Sequence, residues 1–253
     1  MTIRTASLDG VATIEIVRPE KKNALTQAMY LAMASAISAA VADRTVRALL
    51  ITGQPGIFTA GNDLEDFRSA PPLAAGSPTT QFMQALLTCD KPVVAAVTGA
   101  AIGIGATMLL HCDLVYLSDQ ARLVFPFVSL GVVPEFGSSL LLPRLMGHAR
   151  AAESLLLAEP ISAATAVTLG IATAALPPGD VLAHARSVAA RFNALPPGAV
   201  RDTKRLMRAG AAAGISSAME SENAMFIERL RSPEAQEALR AFFEKRKPDF
   251  SNT

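Results

Sequence analysis

Nineteen consecutive residues, Pro92 to Leu110, carry no charge, a length that on its own could cross the hydrocarbon core of a bilayer. The interior of the run points elsewhere. Pro92, Gly99, Gly103 and Gly105 punctuate it. Val93 to Val97 (VVAAV) reads as a fully buried strand, and a helical run, Ala106 to Leu110, follows the glycines. The segment is therefore expected to be a strand, a tight turn and a helix start inside a large core.

The same alternation extends to both sides. Val11 to Val17 (VATIEIV) alternates in side-chain character and ends at Arg18-Pro19, as a strand entering a turn does. Thr26 is placed to cap a helix over Gln27 to Ala42, in which Met29, Met33, Ile37 and Val41 recur every four residues as one apolar stripe. Val46 to Thr52 is the next strand, closed by Gly53. A helix at Gln81 to Thr88 then precedes the strand at 93–97, and a helix at Gly105 to His111 precedes a strand at Leu114 to Leu117. Strands and helices in this order predict an α/β fold with a largely parallel sheet.

From Gly137 onward the pattern predicts helices only: Ser138–Met146, Ala149–Leu157, Ala163–Leu169, Val181–Asn193, Ala199–Ala212, Ser216–Leu230 and Pro233–Lys245. Ser232 before Pro233 is a helix start with its cap and its first-turn proline in place. The Pro-Pro pairs at 71/72, 177/178 and 196/197 mark loops, and Arg68 to Thr80 is the most loop-like stretch, a candidate mobile flap beside a site.

Composition removes several classes of function. Of 253 residues, 23 are Lys or Arg and 22 are Asp or Glu, which leaves no charge excess with which to hold a polyanion. Trp is absent and aromatic residues make up 5%, so stacking platforms for bases are few. Cys89 and Cys112 have no further Cys or His at zinc-ligand spacing, so neither a disulfide framework nor a metal site is expected. The first ten residues lack the apolar stretch of a secretory leader, which makes the cytoplasm the expected compartment. Phe226, Leu230, Leu239, Phe242 and Phe243 make the C-terminal helices apolar enough to pack on something, another subunit included.

Two glycine-containing turns carry the candidate chemistry. Thr98-Gly-Ala-Ala-Ile-Gly-Ile-Gly105 follows a strand and looks like a dinucleotide fingerprint, but that fingerprint belongs to the first strand-helix turn of its fold, and here two strands and a helix precede it. The Tyr-x-x-x-Lys of short-chain dehydrogenases is missing as well, since Ala34 and Gln120 stand four places after Tyr30 and Tyr116. The other turn, Phe58-Thr-Ala-Gly-Asn-Asp-Leu-Glu65, also follows a buried strand. Two such turns can aim backbone N–H groups into one pocket, the requirement for an oxyanion hole.

Arg18-Pro-Glu-Lys-Lys-Asn-Ala-Leu-Thr26, Ala60-Gly-Asn-Asp-Leu64, Gly99-Ala-Ala-Ile-Gly-Ile-Gly105, Cys112-Asp-Leu114 and Leu130-Gly-Val-Val-Pro134 fall in the order and spacing of the crotonase superfamily of enoyl-CoA hydratases and isomerases, which the chain resembles over nearly its whole length. The resemblance implies the crotonase fold, a spiral of ββα units over residues 1–195 followed by a helical region, 196–253. By the same resemblance that region is implied to serve oligomerisation, as a trimer or dimer of trimers, and to complete the CoA site; the resemblance is carried by the motifs quoted above. It also implies an acyl-CoA thioester substrate, with no cofactor beyond the coenzyme A that the substrate carries, and no nucleic acid or membrane partner.

By position, the N–H groups holding the thioester carbonyl belong to Asn62 and Ile104, with Ile104 standing where the family usually has glycine. Lys22, Asn23, Ala24 and Leu25, together with the segment Asn62, Asp63, Leu64 and Glu65, are implied to touch the CoA moiety. Ala60, Gly61, Gly103 and Phe127 are implied to complete the substrate site.

Enoyl-CoA hydratases resemble one another in two glutamates, and at those positions this chain has Thr107 and Phe127, neither of which can activate water or deliver a proton. Its carboxylate is instead Glu135, in Pro134-Glu-Phe-Gly-Ser-Ser139, which is similar to the Pro-Glu-x-x-Ser-Ser segment of peroxisomal-type Δ3,Δ2-enoyl-CoA isomerases. The resemblance therefore implies isomerisation of a 3-enoyl-CoA to the trans-2-enoyl-CoA by one glutamate. The alternatives are a hydratase-family enzyme for another CoA thioester and a silent acyl-CoA-binding homologue. Glu135 falls at an expected helix start, which lowers its pKa, among Phe125, Phe127 and Phe136, whose desolvation raises it. His111, His148 and His184 have no nucleophile at a recognisable spacing and read as structural, Asp63 as a loop-orienting acid, and Glu153 and Glu159 as solvent-facing.

Overall fold

The computed structural model describes residues 2–69 and 73–251. The chain opens with a hairpin, β1 (Ile3–Leu8) and β2 (Val11–Ile16), joined by Asp9 and Gly10, both at positive φ. A 3₁₀ turn at Pro19–Lys21 leads to α1 (Gln27–Ala42), which Thr26 caps by accepting the Met29 N–H at 3.4 Å. Met29, Met33 and Ile37 are buried, so the four-residue period does face the core.

Three similar turns follow. β3 (Ala48–Thr52) is succeeded by β4 (Ile57–Thr59), α2 (Leu64–Ser69) and α3 (Pro78–Thr88). β5 (Val93–Val97) is succeeded by β6 (Ala100–Ile102) and α4 (Ile104–Thr107), which tightens into a 3₁₀ turn at Met108–His111, and β7 (Leu114–Ser118) by β8 (Arg122–Val124). The rest is α5 (Ser138–Met146), α6 (His148–Leu156), β9 (Ile161–Ser162), α7 (Ala163–Thr168), β10 (Ala174–Leu176), α8 (Val181–Ala190), α9 (Pro197–Leu230) and α10 (Pro233–Glu244).

Each turn gives its first strand to one sheet and its second strand to another. The larger sheet runs β1-β2-β3-β5-β7-β10 and the smaller β4-β6-β8-β9, parallel except for the β1/β2 and β8/β9 pairs. This is the crotonase spiral. Every residue of β3 and β5 is buried, and their side chains divide with the period of two that a strand imposes. Ala48, Leu50, Val94 and Ala96 pack against Val181, Ala185 and Ala189 of α8, while Leu49, Ile51, Val93, Ala95 and Val97 join the main core. Because β4 and β6 pair in parallel, the turns that leave them emerge side by side.

The structure corrects the expected pattern in four places. The sequence pattern does not predict the hairpin strand β1, five of whose six residues are exposed; its signal is the Asp9-Gly10 turn. The region after Gly137 is not purely helical, since β9 and β10 add edges to the two sheets. Strands of two and three residues with the sequence Ile-Ser and Ala-Ala-Leu form only because β8 and β7 offer an open edge.

The helices expected at 199–212 and 216–230 are one helix, α9, of 34 residues. Gly214 does not break it, and a Cβ there would lie 3.4 Å from Leu140 on α5, so its smallness serves helix contact. The expected flap is only partly a loop. Residues 70–72, with the first Pro-Pro pair, lie outside the described residues; Leu73 is buried in the core, and Ser77 caps α3.

Ser232 caps α10 as expected. Phe226 and Leu239 pack into the chain's own core, whereas Phe242 and Phe243 stay exposed. Cys89 and Cys112 are free thiols. Among the described residues no helix is long and apolar enough to cross a membrane.

Candidate active site

The turn leaving β4 is braced from below by the turn at 18–25. Lys22 and Asn23 both take positive φ, which lets the Lys22 carbonyl accept the Ala60 N–H at 3.0 Å, and Thr59 Oγ1 donates to the Asn23 carbonyl at 2.7 Å. Leu25 donates its N–H to the Gly61 carbonyl (2.7 Å) and accepts that of Asp63 (2.9 Å), a parallel bridge that engages the neighbours of Asn62 and leaves its own N–H turned away. Arg18 Nη1 bonds Asp63 at 2.5 Å and the Ala24 carbonyl at 2.9 Å, tying the two turns together. Burial acts to raise the Asp63 pKa, but the Arg18 bond and the backbone N–H groups of Glu65 and Asp66 outweigh it and hold the carboxylate below its ordinary range. Asp63 is thus the loop-orienting acid expected. The Asn62 side chain accepts from the buried Tyr30 hydroxyl at 2.5 Å.

The turn leaving β6 lies directly against this one. Gly61, at φ 86°, approaches the Ile102 carbonyl so closely that a Cβ would come within 2.7 Å of it, and a Cβ on Gly105 would meet Thr59 Cγ2 at 2.4 Å. Only glycine permits both approaches. Ile104 opens α4, where the first N–H groups have no intrahelical acceptor. Among the described residues neither the Asn62 nor the Ile104 N–H has a hydrogen-bond partner. Thr107 sits on the last residue of the same short helix, wholly buried, its hydroxyl directed to the Ile104 carbonyl at 3.4 Å.

Glu135 stands before α5. Both of its carboxyl oxygens are buried without a hydrogen-bond partner among the described residues. Of the two opposed influences that the sequence suggests, desolvation wins. Burial, with the Glu222 charge adding to it, pushes the Glu135 pKa up to about 8. Phe125, Phe127 and Phe136 are all buried in the same core. The helix start does not help Glu135 because another acid holds it: Glu222, on α9, accepts the Gly137 N–H at 2.6 Å and the Ser139 N–H at 2.9 Å. Glu135 also reaches the first turn electrostatically. Burial raises the Tyr30 phenol well above its ordinary value and the Glu135 charge raises it further, so Glu135 is within electrostatic range of the hydroxyl that holds Asn62.

Asn62, Ile104 and Thr107 thus lie on two abutting turns, and Glu135, ahead of α5, is linked to them electrostatically through Tyr30, whose hydroxyl bonds Asn62. Asn23 and Leu25, expected to touch the substrate, are 0% and 1% exposed. Asn23 spends its side chain on the Arg18 N–H and the Phe58 carbonyl, so both residues shape the turn from beneath. Lys22 and Glu65 remain on the surface, Glu65 paired with Lys21 at 3.5 Å. Ile104, Thr107 and Glu135 have no surface open to water. A cavity of about 320 Å³ lined by Val41, Arg47, Pro92 and Phe192 lies away from these turns and contains none of the expected site residues.

Two residues that brace these turns, Tyr30 and Glu222, escape sequence reasoning. Tyr30 reads as one more core aromatic of an amphipathic helix. His111 was set aside as structural, and it is structural in a particular way: its Nε2 lies 2.7 Å from the Phe136 carbonyl, which can only accept, so Nε2 carries the proton. Burial lowers its pKa to about 4 against the pull of that bond. Glu222 lies 87 positions beyond Glu135 in the sequence, on a helix whose exposed residues hide its single inward acid.

The comparisons with known proteins fit this arrangement. The profile of the enoyl-CoA hydratase/isomerase family matches residues 7–253. A "Probable enoyl-CoA hydratase" of Rhodobacter capsulatus is 34% identical over 99% of this chain and 98% of that protein. "Enoyl-CoA delta isomerase 2" of Rattus norvegicus is also 34% identical, over 97% of this chain and 64% of its own length. Among solved structures, Pseudomonas aeruginosa OdaA superposes with a TM-score of 0.93 at 52% identity, covering 95% of this chain and 98% of that one. An enoyl-CoA hydratase/isomerase from Pseudoalteromonas atlantica superposes at 0.94 with 38% identity, covering 99% and 100%. With its spiral of paired strands, its two interlocked glycine turns and a family match over nearly every residue, the chain belongs to the enoyl-CoA hydratase/isomerase family.

Proposed function

We propose that the protein isomerises 3-enoyl-CoA thioesters to the trans-2-enoyl form, with Glu135 as the one proton carrier. The observation that carries this reading is the carboxyl of Glu135, buried, without a hydrogen-bond partner among the described residues and with its pKa raised to about 8, its charge felt by the Tyr30 hydroxyl that bonds Asn62. A carboxyl so placed exchanges a proton with a weak carbon acid near neutral pH far better than an exposed glutamate does.

In the proposed reaction the Glu135 carboxylate takes a proton from C2. The electron pair moves into a dienolate whose negative oxygen is held by the Asn62 and Ile104 N–H groups. The same carboxyl then returns the proton at C4, and the double bond stands between C2 and C3. Atoms and charge balance without a cofactor. Lys22, Ala24, Leu64 and Glu65, at the mouth of the first turn, are the proposed contacts for the CoA moiety.

Hydration has a weaker claim. Relatives carry both names, but Thr107 and Phe127 supply no carboxylate where a hydratase would hold and activate water. The test is a paired assay on 3-enoyl-CoA and 2-enoyl-CoA. Fast isomerisation with slow hydration is expected; fast hydration would overturn the assignment, and turnover of neither would favour a silent binder. The reading also proposes a trimer or hexamer, in which the exposed Phe242 and Phe243 would be covered. Light scattering showing a monomer at micromolar concentration would exclude it.

A further inference from the structure

Helix α9 turns a single stripe of residues inward, with Lys204, Ile215, Glu222 and Phe226 buried along it. Lys204 is accounted for by Asp113 and the Lys91 carbonyl, at 2.6 Å each. Glu222 has a less ordinary occupation. Every α-helix leaves its first N–H groups without intrahelical acceptors, and a side chain at the N-cap commonly takes one of them. The N-cap of α5 is Gly137, which has no side chain to offer. Glu222 fills the role from another helix, one oxygen on the Gly137 N–H and the other on the Ser139 N–H.

The turn so held is strained. Phe136 and Gly137 have φ of 58° and 72°, two left-handed residues in succession, and for a phenylalanine that conformation costs on the order of 1 kcal/mol. It persists because it is gripped on each side. Ser138 Oγ donates to the Glu135 carbonyl at 2.6 Å, and His111 donates to the Phe136 carbonyl while stacking on its ring at 3.9 Å. Arg208, also on α9, donates to the His111 carbonyl at 2.6 Å. Helix α9 therefore reaches the turn twice, directly through Glu222 and indirectly through Arg208 and His111.

Glu135 is the acid nearest in sequence to this helix start and would be its natural occupant. Were it to bend onto the Gly137 and Ser139 N–H groups, it would become an ordinary capping carboxylate, stabilised in its charged form and withdrawn from any substrate. We infer that Glu222 is a positioning residue: by occupying the start of α5 it denies those donors to Glu135, holds the 135–137 turn in its left-handed conformation and leaves the Glu135 carboxyl free to face a substrate. This inference rests on the reading of Glu135 as the proton carrier. The titratable groups facing Glu135 are Glu222 from α9, Tyr30 from α1 and, across Phe136, the neutral His111 from the 3₁₀ turn after α4.

The test is made on the full-length protein with Glu222→Gln and Glu222→Asp. Glu222→Gln keeps the shape and one acceptor but turns an NH₂ toward a backbone N–H and removes the charge. Glu222→Asp keeps the charge. Two readouts are needed. The first is the titration of Glu135 in the ligand-free protein, followed by the infrared band of its protonated carboxyl and assigned by the absence of that band in Glu135→Gln. The second is kcat and KM for 3-hexenoyl-CoA.

In Glu222→Gln the midpoint should fall from about 8 by about one unit or more, and kcat should drop about tenfold or more with KM nearly unchanged. In Glu222→Asp the midpoint should stay high. An unmoved midpoint in folded Glu222→Gln, or a fall in Glu222→Asp equal to that in Glu222→Gln, would overturn the positioning role and leave Glu222 as a helix cap only. Wild-type protein that fails to turn over 3-hexenoyl-CoA while the midpoint still shifts would remove the isomerase reading and leave the positioning of Glu135 intact.

Discussion

The turn at 59–63 and the turn at 135–139 solve opposite problems. In the first the side chains are committed: Thr59 to the Asn23 carbonyl, Asn62 to Tyr30 and Asp63 to Arg18, while one backbone donor, the Asn62 N–H, is left over. In the second the backbone is committed: the Gly137 and Ser139 N–H groups to Glu222 and the Phe136 carbonyl to His111, while one side chain, Glu135, is left over. A buried group without a partner costs about 1–3 kcal/mol, so each of these two deficits is held open by the bonds around it. A donor without an acceptor and a carboxyl without a donor are what an enolate-forming site has to offer. In the proposed reaction the backbone would supply the fixed dipole and the side chain the exchangeable proton.

The largest effect should come from removing the second deficit. Glu135→Gln preserves shape and volume, so binding of a CoA product should persist, while isomerase turnover falls by about 10²- to 10⁴-fold, the span of a lost general base. Parallel calorimetric binding and turnover assays check this. A variant that still isomerises at near wild-type rates would mean that the two turns do not divide the work as described.

Breaking the first turn should cost slightly less. Asn62→Pro deletes the unengaged N–H and should lower turnover about 10²- to 10³-fold. Asn62→Ala keeps that N–H but strands the buried Tyr30 hydroxyl, at a cost of about 1–3 kcal/mol in stability, and should fall between the proline variant and wild type in rate. Equal rates for the two variants would show that the backbone donor at 62 has no part in the reaction.

pH separates the two turns in a different way. Glu135 acts as a base only when ionised, so kcat/KM should climb with pH to a limb near 8, the value to which burial raises it. Its folded pKa lies above the unfolded value of 4.5. The stability it contributes is therefore complete below about pH 4.5 and is lost as pH rises through about 8, to the extent of about 5 kcal/mol. Denaturant melts should show the wild type weakening relative to Glu135→Gln across that window. His111 has the opposite sign, since its pKa is lowered from 6.5 to about 4. Its contribution is present above pH 6.5 and lost as pH falls through 4, by about 3 kcal/mol, and a His111→Gln variant should flatten that acid limb.

The two turns also differ in how far the sequence disclosed them. The first was legible because its determinants are local: a strand, a glycine and an unusual run of small residues, repeated at 99–105, in a fold that pairs β4 with β6. Glu135 is singled out in the sequence by the resemblance of Pro134-Glu-Phe-Gly-Ser-Ser139 to the isomerase segment rather than by any periodicity. What holds Glu135 was not legible. Glu222 reaches it from a helix 87 positions away, and nothing in the periodicity of α9 distinguishes an inward acid that caps another helix from the surface acids beside it. The direction of the Glu135 shift was undecidable for the same reason, because the helix-start influence that would have lowered its pKa is taken by Glu222. The edge strands β9 and β10 were missed because they are imposed by the sheets they complete rather than by their own residues.

Thr107→Ala should have the smallest effect and sharpens the comparison most economically. Thr107 lies in the same short helix as Ile104, at a position where hydratases of the family are expected to hold a catalytic glutamate, yet its hydroxyl reaches only the Ile104 carbonyl at a long 3.4 Å. If the division between a backbone-donor turn and a side-chain turn is complete, nothing at 107 moves a proton. Loss of its Oγ should then change isomerase turnover by no more than a few-fold and stability by about 1 kcal/mol, the worth of one weak hydrogen bond. A collapse of turnover in Thr107→Ala, at unchanged stability and with the Asn62 variants behaving as expected, would place a second working side chain on the first pair of turns. The single-glutamate scheme would then have to give way to one in which the Thr107 hydroxyl orders a water or the thioester itself.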